Sequence, residues 1–403
     1  MKLIEEIINH VSARFWSSRR PTRRMSHDVS TILQAWGFGL DISGIVVNAI
    51  TNKALGSAGT HDDKFIVELQ GSGGARLFVG AANRDWPAAE RIEERFSAVS
   101  RAACAFPDGV TGRGENASTV VVVAPLRRPT GEFLWTDEHS SSRRYLTPAL
   151  PGTDLKQLSS YVSLAYALGG YHRIMSAAGR PSGNAIRGQD LDRDVASYVQ
   201  WLATVWEQEA AAPREGFDAL LIDKLRNTSR FIVTRTKRLA ALPRTWIHDD
   251  FQFKNVVQVP PPHSKMAVID MPDGSWAPRL FDLAFVVGNH LPTPAAEDAS
   301  SQSPAAPTSS THFDGLMHAY HRGGGDALTD EEAELLPNVM QIKFLAEAHF
   351  WYHNAPNVVE FRDRAHRASP GATTRELIRA AARRAAAAQH QGAGSSPLRD
   401  RAR

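Results

Sequence analysis

The sequence predicts an α+β fold, with a small N-terminal β-sheet lobe and a larger, mostly helical C-terminal lobe. Three observations carry that prediction. Lys64–Gln70 and Arg76–Ala82 read as strands joined by Gly71-Ser72-Gly73-Gly74, a strong hairpin signal. Past Leu155 the apolar spacing becomes helical over three long stretches. Between Thr245 and Asp270 the helices give way to two apolar strands, each ending on an acid or amide side chain.

Taken in order, residues 1–24 form a basic, flexible extension. Met1–Trp16 has amphipathic spacing, Arg19, Arg20, Arg23 and Arg24 crowd together, and no apolar core of a secretory signal is present. Residues 25–125 make the N-terminal lobe. A helix is expected near Asp28–Trp36, then strands at Gly44–Ala54, Lys64–Gln70 and Arg76–Ala82. Pro87–Ala103 has helical spacing, with Ala88, Ile92, Phe96 and Val99 on one face. Thr119–Ala124 and Glu132–Trp135 read as further strands, completing a small sheet with one helix packed on it. The C-terminal lobe, residues 126–370, opens with helices at Leu155–Ala178, Asp190–Ala211 and Phe217–Leu242. Thr293–Ser310, rich in Pro, Ala and Ser, has too few large apolar residues to offset its ordering entropy and is expected to be a disordered loop. Residues 371–403 begin as an Ala/Arg helix and end as a Gly/Ser/Arg tail.

Composition narrows the function. A net charge of +3 over 403 residues is too small to argue for a nucleic-acid partner, and the basic residues are scattered or lie in the tails. The longest aliphatic run, Val120–Val123, falls far short of the ~20 residues of a membrane helix. A single cysteine, Cys104, excludes an intramolecular disulfide and a cysteine zinc cluster. It fits a reducing cytoplasm, where Cys104 is expected to pack as a small hydrophobe.

The stretch Thr245–Val257 carries the chemistry. It sets His248, Asp250 and Asn255 in the order His-x-Asp-x-x-x-x-Asn, and the apolar run Met266–Ile269 then ends on Asp270. The Pro260-Pro261-Pro262 turn places both acids at one end of a hairpin. Phosphoryl transfer asks for such a set: an Asp beside the attacking hydroxyl, and an Asn and a second Asp to hold a hard cation through oxygen. Downstream, Phe281-Asp282-Leu283-Ala284 opens an apolar helix whose acid is suited to fixing the loop by hydrogen bonds.

The block from His248 to Ala284 resembles the catalytic segment of the aminoglycoside phosphotransferase and choline kinase group of small-molecule kinases. Ala167-Leu168-Gly169-Gly170-Tyr171-His172 resembles a helix of the same group. The resemblance implies a two-lobed protein-kinase-like fold, ATP as donor, Mg2+, and a small-molecule hydroxyl as acceptor. It makes Asp250 the catalytic base, Asn255 and Asp270 magnesium ligands, and His248 and Asp282 supports of the catalytic loop. A fainter likeness to the N-acetylhexosamine kinases rests on Ile50-Thr51-Asn52, Pro129–Trp135 with Arg144, and Phe344-Leu345-Ala346-Glu347.

The nucleotide lobe departs from this pattern. Leu55-Gly56-Ser57-Ala58-Gly59 is a weak match to a phosphate-covering turn, making Gly56 and Gly59 candidate nucleotide contacts. The strand lysine is missing, because its place falls near Gly80 or Ala81, or near Glu68 if the strand is Lys64–Gln70. Lys53, Lys64, Arg76 and Arg84 are substitutes for its charge, and Glu90, Glu93 and Glu94 are candidates for its helix partner. This departure keeps a catalytically inactive nucleotide- or partner-binding module as the alternative. A protein kinase fits poorly, since Asp270 is followed by Met271-Pro272 and no Ala-Pro-Glu occurs downstream. His61, His139, His290, His312, His318 and His321 form no zinc-protease pair, and Ser57 and Ser72 lack a hydrolase elbow. Asp330, Glu331, Glu332 and Glu334 read either as an acidic substrate patch or as an ordinary first helical turn. Phe350–His353 is expected to pack within the C-terminal lobe.

Overall fold

Alternation along Arg76–Ala82 builds the first sheet. Leu77 and Val79 turn to one face and Phe78 and Gly80 to the other, as the two-residue period of a strand requires. The computed structural model describes residues 31–38, 45–49, 65–69, 76–82, 89–114, 117–136, 143–150, 153–154, 161–181, 195–260, 265–272, 274–290, 309–354, 358–370 and 372–393.

The strands in chain order are β1 (Ile45–Ala49), β2 (Phe65–Leu69), β3 (Arg76–Ala82), β4 (Val110–Thr111), β5 (Thr119–Val122), β6 (Trp135–Thr136) and β7 (Arg143–Pro148). They continue with β8 (Thr153–Asp154), β9 (Arg244–Ile247), β10 (Val256–Gln258), β11 (Lys265–Val268) and β12 (Ser275–Pro278). The first sheet runs β1-β2-β3-β7-β6 with antiparallel neighbours throughout. One face packs Val67, Leu77, Val79 and Leu146 against Ile32, Leu33 and Trp36. The other receives helix α1 (Ala89–Ala105), whose Ile92, Phe96 and Val99 are buried.

A second sheet runs β4-β5-β11-β10-β8, and a two-stranded one pairs β9 with β12. Strand β5 was expected in the N-terminal sheet. It instead lies parallel to β11, Thr119 opposite Lys265 and Val122 opposite Val268. Strands β6 and β7, which follow residue 125, belong to the first sheet. The Glu132–Trp135 strand begins only at Trp135.

The helices continue with α2 (Tyr161–Met175), α3 (Val195–Ala211), α4 (Ala219–Val233), α5 (Thr236–Ala240), α6 (Leu280–His290), α7 (Ser309–Arg322), α8 (Asp330–Asn354), α9 (Val358–Ala368) and α10 (Ala372–Ala393). Helix α2 is central and buried from Leu164 to His172. Two glycines let it sit close to its neighbours. A Cβ on Gly169 would lie 1.9 Å from the Tyr320 carbonyl oxygen of α7, and one on Gly170 would lie 2.5 Å from Val120 of β5.

Cys104 is exposed on α1, contrary to the expected packing. It falls outside the Ile92–Phe96–Val99 face that the helix turns inward. Residues 1–30, 291–308 and the tail after 393 lie outside the described residues, as do the expectations placed on them. Among the described residues no helix is long and apolar enough to cross a membrane.

Candidate active site

Strand β9 delivers His248, Asp249 and Asp250 into a loop held from below by one carboxylate. Asp282, in the first turn of α6 and 1% exposed, accepts from the backbone N–H of His248 at 2.8 Å and of Asp249 at 2.9 Å. It also accepts from His172 Nε2 of α2 at 3.1 Å. The other nitrogen of His172 pairs with the Tyr320 hydroxyl at 2.9 Å. Burial on its own would raise the Asp282 carboxyl, but the bond and charge of His172, with His248, outweigh it and hold the group below its ordinary value. The charge therefore stays on, and the loop is pinned by three donors to one buried anion.

The hairpin β10–β11 places the segments that carry the two acids at one end of its ladder. Val256 pairs with Val268, so Asp250 and Asn255 precede, and Asp270 follows, the same end of the ladder. Two bonds lock the loops across that end. His248 Nε2 donates to the Ile269 carbonyl at 2.9 Å, which fixes its tautomer, and the Ile269 N–H donates to the Asn255 carbonyl at 3.0 Å. Asp249 (φ 66°) and Asp270 (φ 63°) are the described non-glycine residues with left-handed backbone. Such conformations cost energy and persist where surrounding bonds over-determine them, most often at functional sites. Lys343 Nζ of α8 supplies part of that restraint, reaching Asp249 Oδ1 at 2.7 Å.

Asp250 sits among donors. Gln252 Nε2 donates to Oδ1, while Asn255 Nδ2 at 3.0 Å and Lys254 Nζ at 3.1 Å reach Oδ2. Asn255 is 3% exposed, and its Nδ2 also donates to the Asp250 carbonyl at 2.7 Å. With its amide nitrogen committed to Asp250, the side chain offers its oxygen elsewhere. Asp270 Oδ1 accepts from the Tyr145 hydroxyl at 2.9 Å. An amide oxygen and a carboxylate at one hairpin end fit a hard divalent cation of the magnesium kind.

On the sheet side, Gly80 lies directly opposite Tyr145 in the β3–β7 register. A Cβ on Gly80 would sit 2.1 Å from Tyr145 Cζ, so the phenol ring occupies the space into which a β3 side chain would project. Phe96 of α1 packs against that ring at 5.0 Å between centroids. Glu90 is exposed in the first turn of α1, whereas Glu93 accepts from the backbone N–H groups of Phe133 (3.0 Å) and Leu134 (2.7 Å). A cation reaches the Asp270 loop from α1 instead of from β3: Arg95, 5% exposed, donates through Nη1 to the Pro272 carbonyl at 2.6 Å. Gly56, Gly59, Lys53, Lys64 and Arg84 lie outside the described residues.

The model of the phosphotransferase enzyme family matches residues 58–309, more than half of the sequence. The chain belongs to that family. Among solved structures, this phosphotransferase is similar to an amicoumacin kinase bound to AMP-PNP and Ca2+ (10% identity, 89% of this chain and 95% of that one, TM-score 0.55). It is also similar to a microcompartment-associated aminopropanol kinase (14% identity, 92% and 99%, TM-score 0.53). A third is the choline kinase of Cryptosporidium parvum (11% identity, 90% and 96%, TM-score 0.50). At such identities the likeness is one of fold, and that fold is kinase-like. No curated protein matches the sequence.

Beside the loop at Asp249 and Asp250, α8 of the phosphotransferase presents Lys343 and Glu347. Burial raises the Glu347 carboxyl, with Asp250 and Asp249 adding to the effect and Lys343 and Arg364 opposing it. Burial would lower the Lys343 ammonium, but Asp249 and Glu347 raise it, so it stays charged. Three of the acids at 330–334 are tied to arginines: Glu331 to Arg238, Glu332 to Arg279, and Glu334 to Arg379 and Arg383. Sequence reading passed over Tyr145, Arg95 and Lys343. For Arg95 a signal was available, since Arg91 and Arg95 lie between Ile92, Phe96 and Val99 on the apolar face of α1.

Proposed function

We propose that the chain transfers the γ-phosphate of ATP to a hydroxyl of a small polar molecule. The observation that carries this reading is the end of the β10–β11 hairpin. There Asn255 bonds the Asp250 carboxylate and Asp270 follows the paired strand, with the loop pinned by buried Asp282 and two aspartates in left-handed backbone. Asp250 orients the acceptor hydroxyl and takes its proton. Asn255 and Asp270 would hold Mg2+, which would supply charge neutralisation at the nucleotide phosphates. Lys254 places a cation beside the base, and His248 and Asp282 keep the loop in register.

The acceptor class is a sugar, an aminoglycoside or an amino alcohol. Glu347 near Asp249 and Asp250 supports a polar, hydrogen-bonding acceptor. Within that class, the short likenesses at Ile50–Asn52 and Phe344–Glu347 support N-acetylhexosamines as the first candidates to try.

Asp250→Asn is expected to keep Mg-ATP affinity while turnover falls by about 10²–10⁴-fold. Unchanged turnover would remove Asp250 from the role of base. Asp270→Asn is expected to weaken metal-dependent nucleotide binding, and an unaltered magnesium dependence would count against its assignment.

One observation favours a second reading, a nucleotide-binding module without turnover: Tyr145 fills the space over Gly80 where a strand lysine would project. Thermal shift with Mg-ATP followed by ATP consumption against pooled sugars, aminoglycosides and amino alcohols separates the two. Binding without consumption across the pool supports the module.

A further inference from the structure

We propose that Glu209, His349 and His353 form a binding site for a zinc-class divalent cation that clips helix α3 to helix α8. His349 and His353 stand four residues apart on α8, so their rings share one face of that helix. Glu209, near the end of α3, faces them: His353 Nε2 lies 2.9 Å from Glu209 Oε1, and the ring centroids of the two histidines are 4.6 Å apart. One ligand atom from each of the three residues lies within 4.8 Å of the others. Tetrahedral zinc with bonds of about 2.0–2.2 Å needs such atoms about 3.5 Å apart. A small rotation of the His349 and His353 side chains closes the set.

The surroundings are those of a supported site. Trp201 and Trp206 of α3 hold the His349 ring edge-on, at centroid distances of 5.7 and 5.9 Å. Tyr352, packed edge-on to Trp206, accepts through its hydroxyl from the Arg214 N–H at 2.6 Å. Two imidazoles and one carboxylate select zinc and its late first-row neighbours over magnesium, which takes oxygen. His353 is exposed, leaving an open side for a water as fourth ligand.

This site is distinct from the candidate active site. His349 lies two residues past Glu347, about 200° further round the helix. It still bears on that site, because α3 also carries Tyr198, which feels the charges of Asp249, Lys343 and Glu347. The clip joins the helix that carries Tyr198 to the helix that carries Lys343 and Glu347.

The test uses the untagged full chain, stripped with chelator and titrated with Co2+ and Zn2+ in excess Mg2+. The expected result is one equivalent bound, with the visible absorption of four-coordinate cobalt and a melting temperature raised by Zn2+. His353→Gln, an exposed position that leaves the fold intact, weakens that binding about 10–100-fold, and His349→Gln does the same. Absence of the cobalt spectrum, or a titration unchanged in His353→Gln, overturns the proposal.

Discussion

Gly80→Ala should disturb the protein out of proportion to one methyl group. The added Cβ would lie 2.1, 2.4 and 2.5 Å from three atoms of the Tyr145 ring, inside the ring face itself. Carbons rest no closer than about 3.5 Å, so the ring must withdraw by about 1.4 Å. It cannot do so freely, being 1% exposed and packed by Phe96 and Phe78. Overpacking of this kind costs about 1–3 kcal/mol. Withdrawal also breaks the 2.9 Å bond from the Tyr145 hydroxyl to Asp270, and a bond to a charged group contributes about 1.5–3 kcal/mol. Against this, alanine in a strand regains roughly 0.5–1 kcal/mol over glycine. The net expectation is a loss of about 2–5 kcal/mol, read by urea unfolding followed through tryptophan fluorescence. In a Tyr145→Ala background the obstruction is gone, and the same substitution should be neutral or stabilising by roughly 0.5–1 kcal/mol. Tyr145→Phe keeps the ring and removes only the hydroxyl bond, which separates the two contributions. Equal destabilisation by Gly80→Ala in both backgrounds would refute the reasoning.

Asp282→Ala strands two backbone N–H groups and an imidazole, and should cost about 3–5 kcal/mol in urea unfolding. Because the folded carboxyl lies below its unfolded value, its contribution is complete above that unfolded value, about 4, and is lost as pH falls through the folded one. The stability gap between wild type and Asp282→Asn should therefore narrow below about pH 4, whereas a gap constant from pH 7 to pH 3 would contradict this. Glu332 is fully buried against Arg279 at 2.7 Å and also caps α8 through the Thr329 N–H. Glu332→Ala should cost about 3–5 kcal/mol, and Arg279→Met with Glu332→Leu should recover most of it; a double variant as unstable as the single one would show that the pair is not what is lost.

The β10–β11 hairpin was legible because its signals are local. Apolar runs around Trp246, Val256 and Val268, the prolines at 260–262 and the spacing of Asp250, Asn255 and Asp270 all fall within one short stretch. The grip of Asp282 was legible in kind, though its partners His172 and Tyr320 come from distant helices. Parallel pairing of β5 with β11 leaves no local mark, so Thr119–Ala124 read as part of the nearer sheet. Tyr145 was invisible for a similar reason: its place over Gly80 depends on a register between strands that only the folded sheet defines. The His349–His353 spacing stood in the sequence, but Glu209 joins it only through the packing of α3 on α8.

The β5–β11 ladder bears on how the polypeptide is born. Thr119 leaves the ribosome long before its partner Lys265 is translated, since more than a third of the chain separates them. Strand β5 must wait, unpaired on that edge, while α2, α3 and α4 emerge. A nascent chain stalled before residue 265 should therefore expose Val121 and its neighbours to chaperones and proteases, and release past that point should hide them.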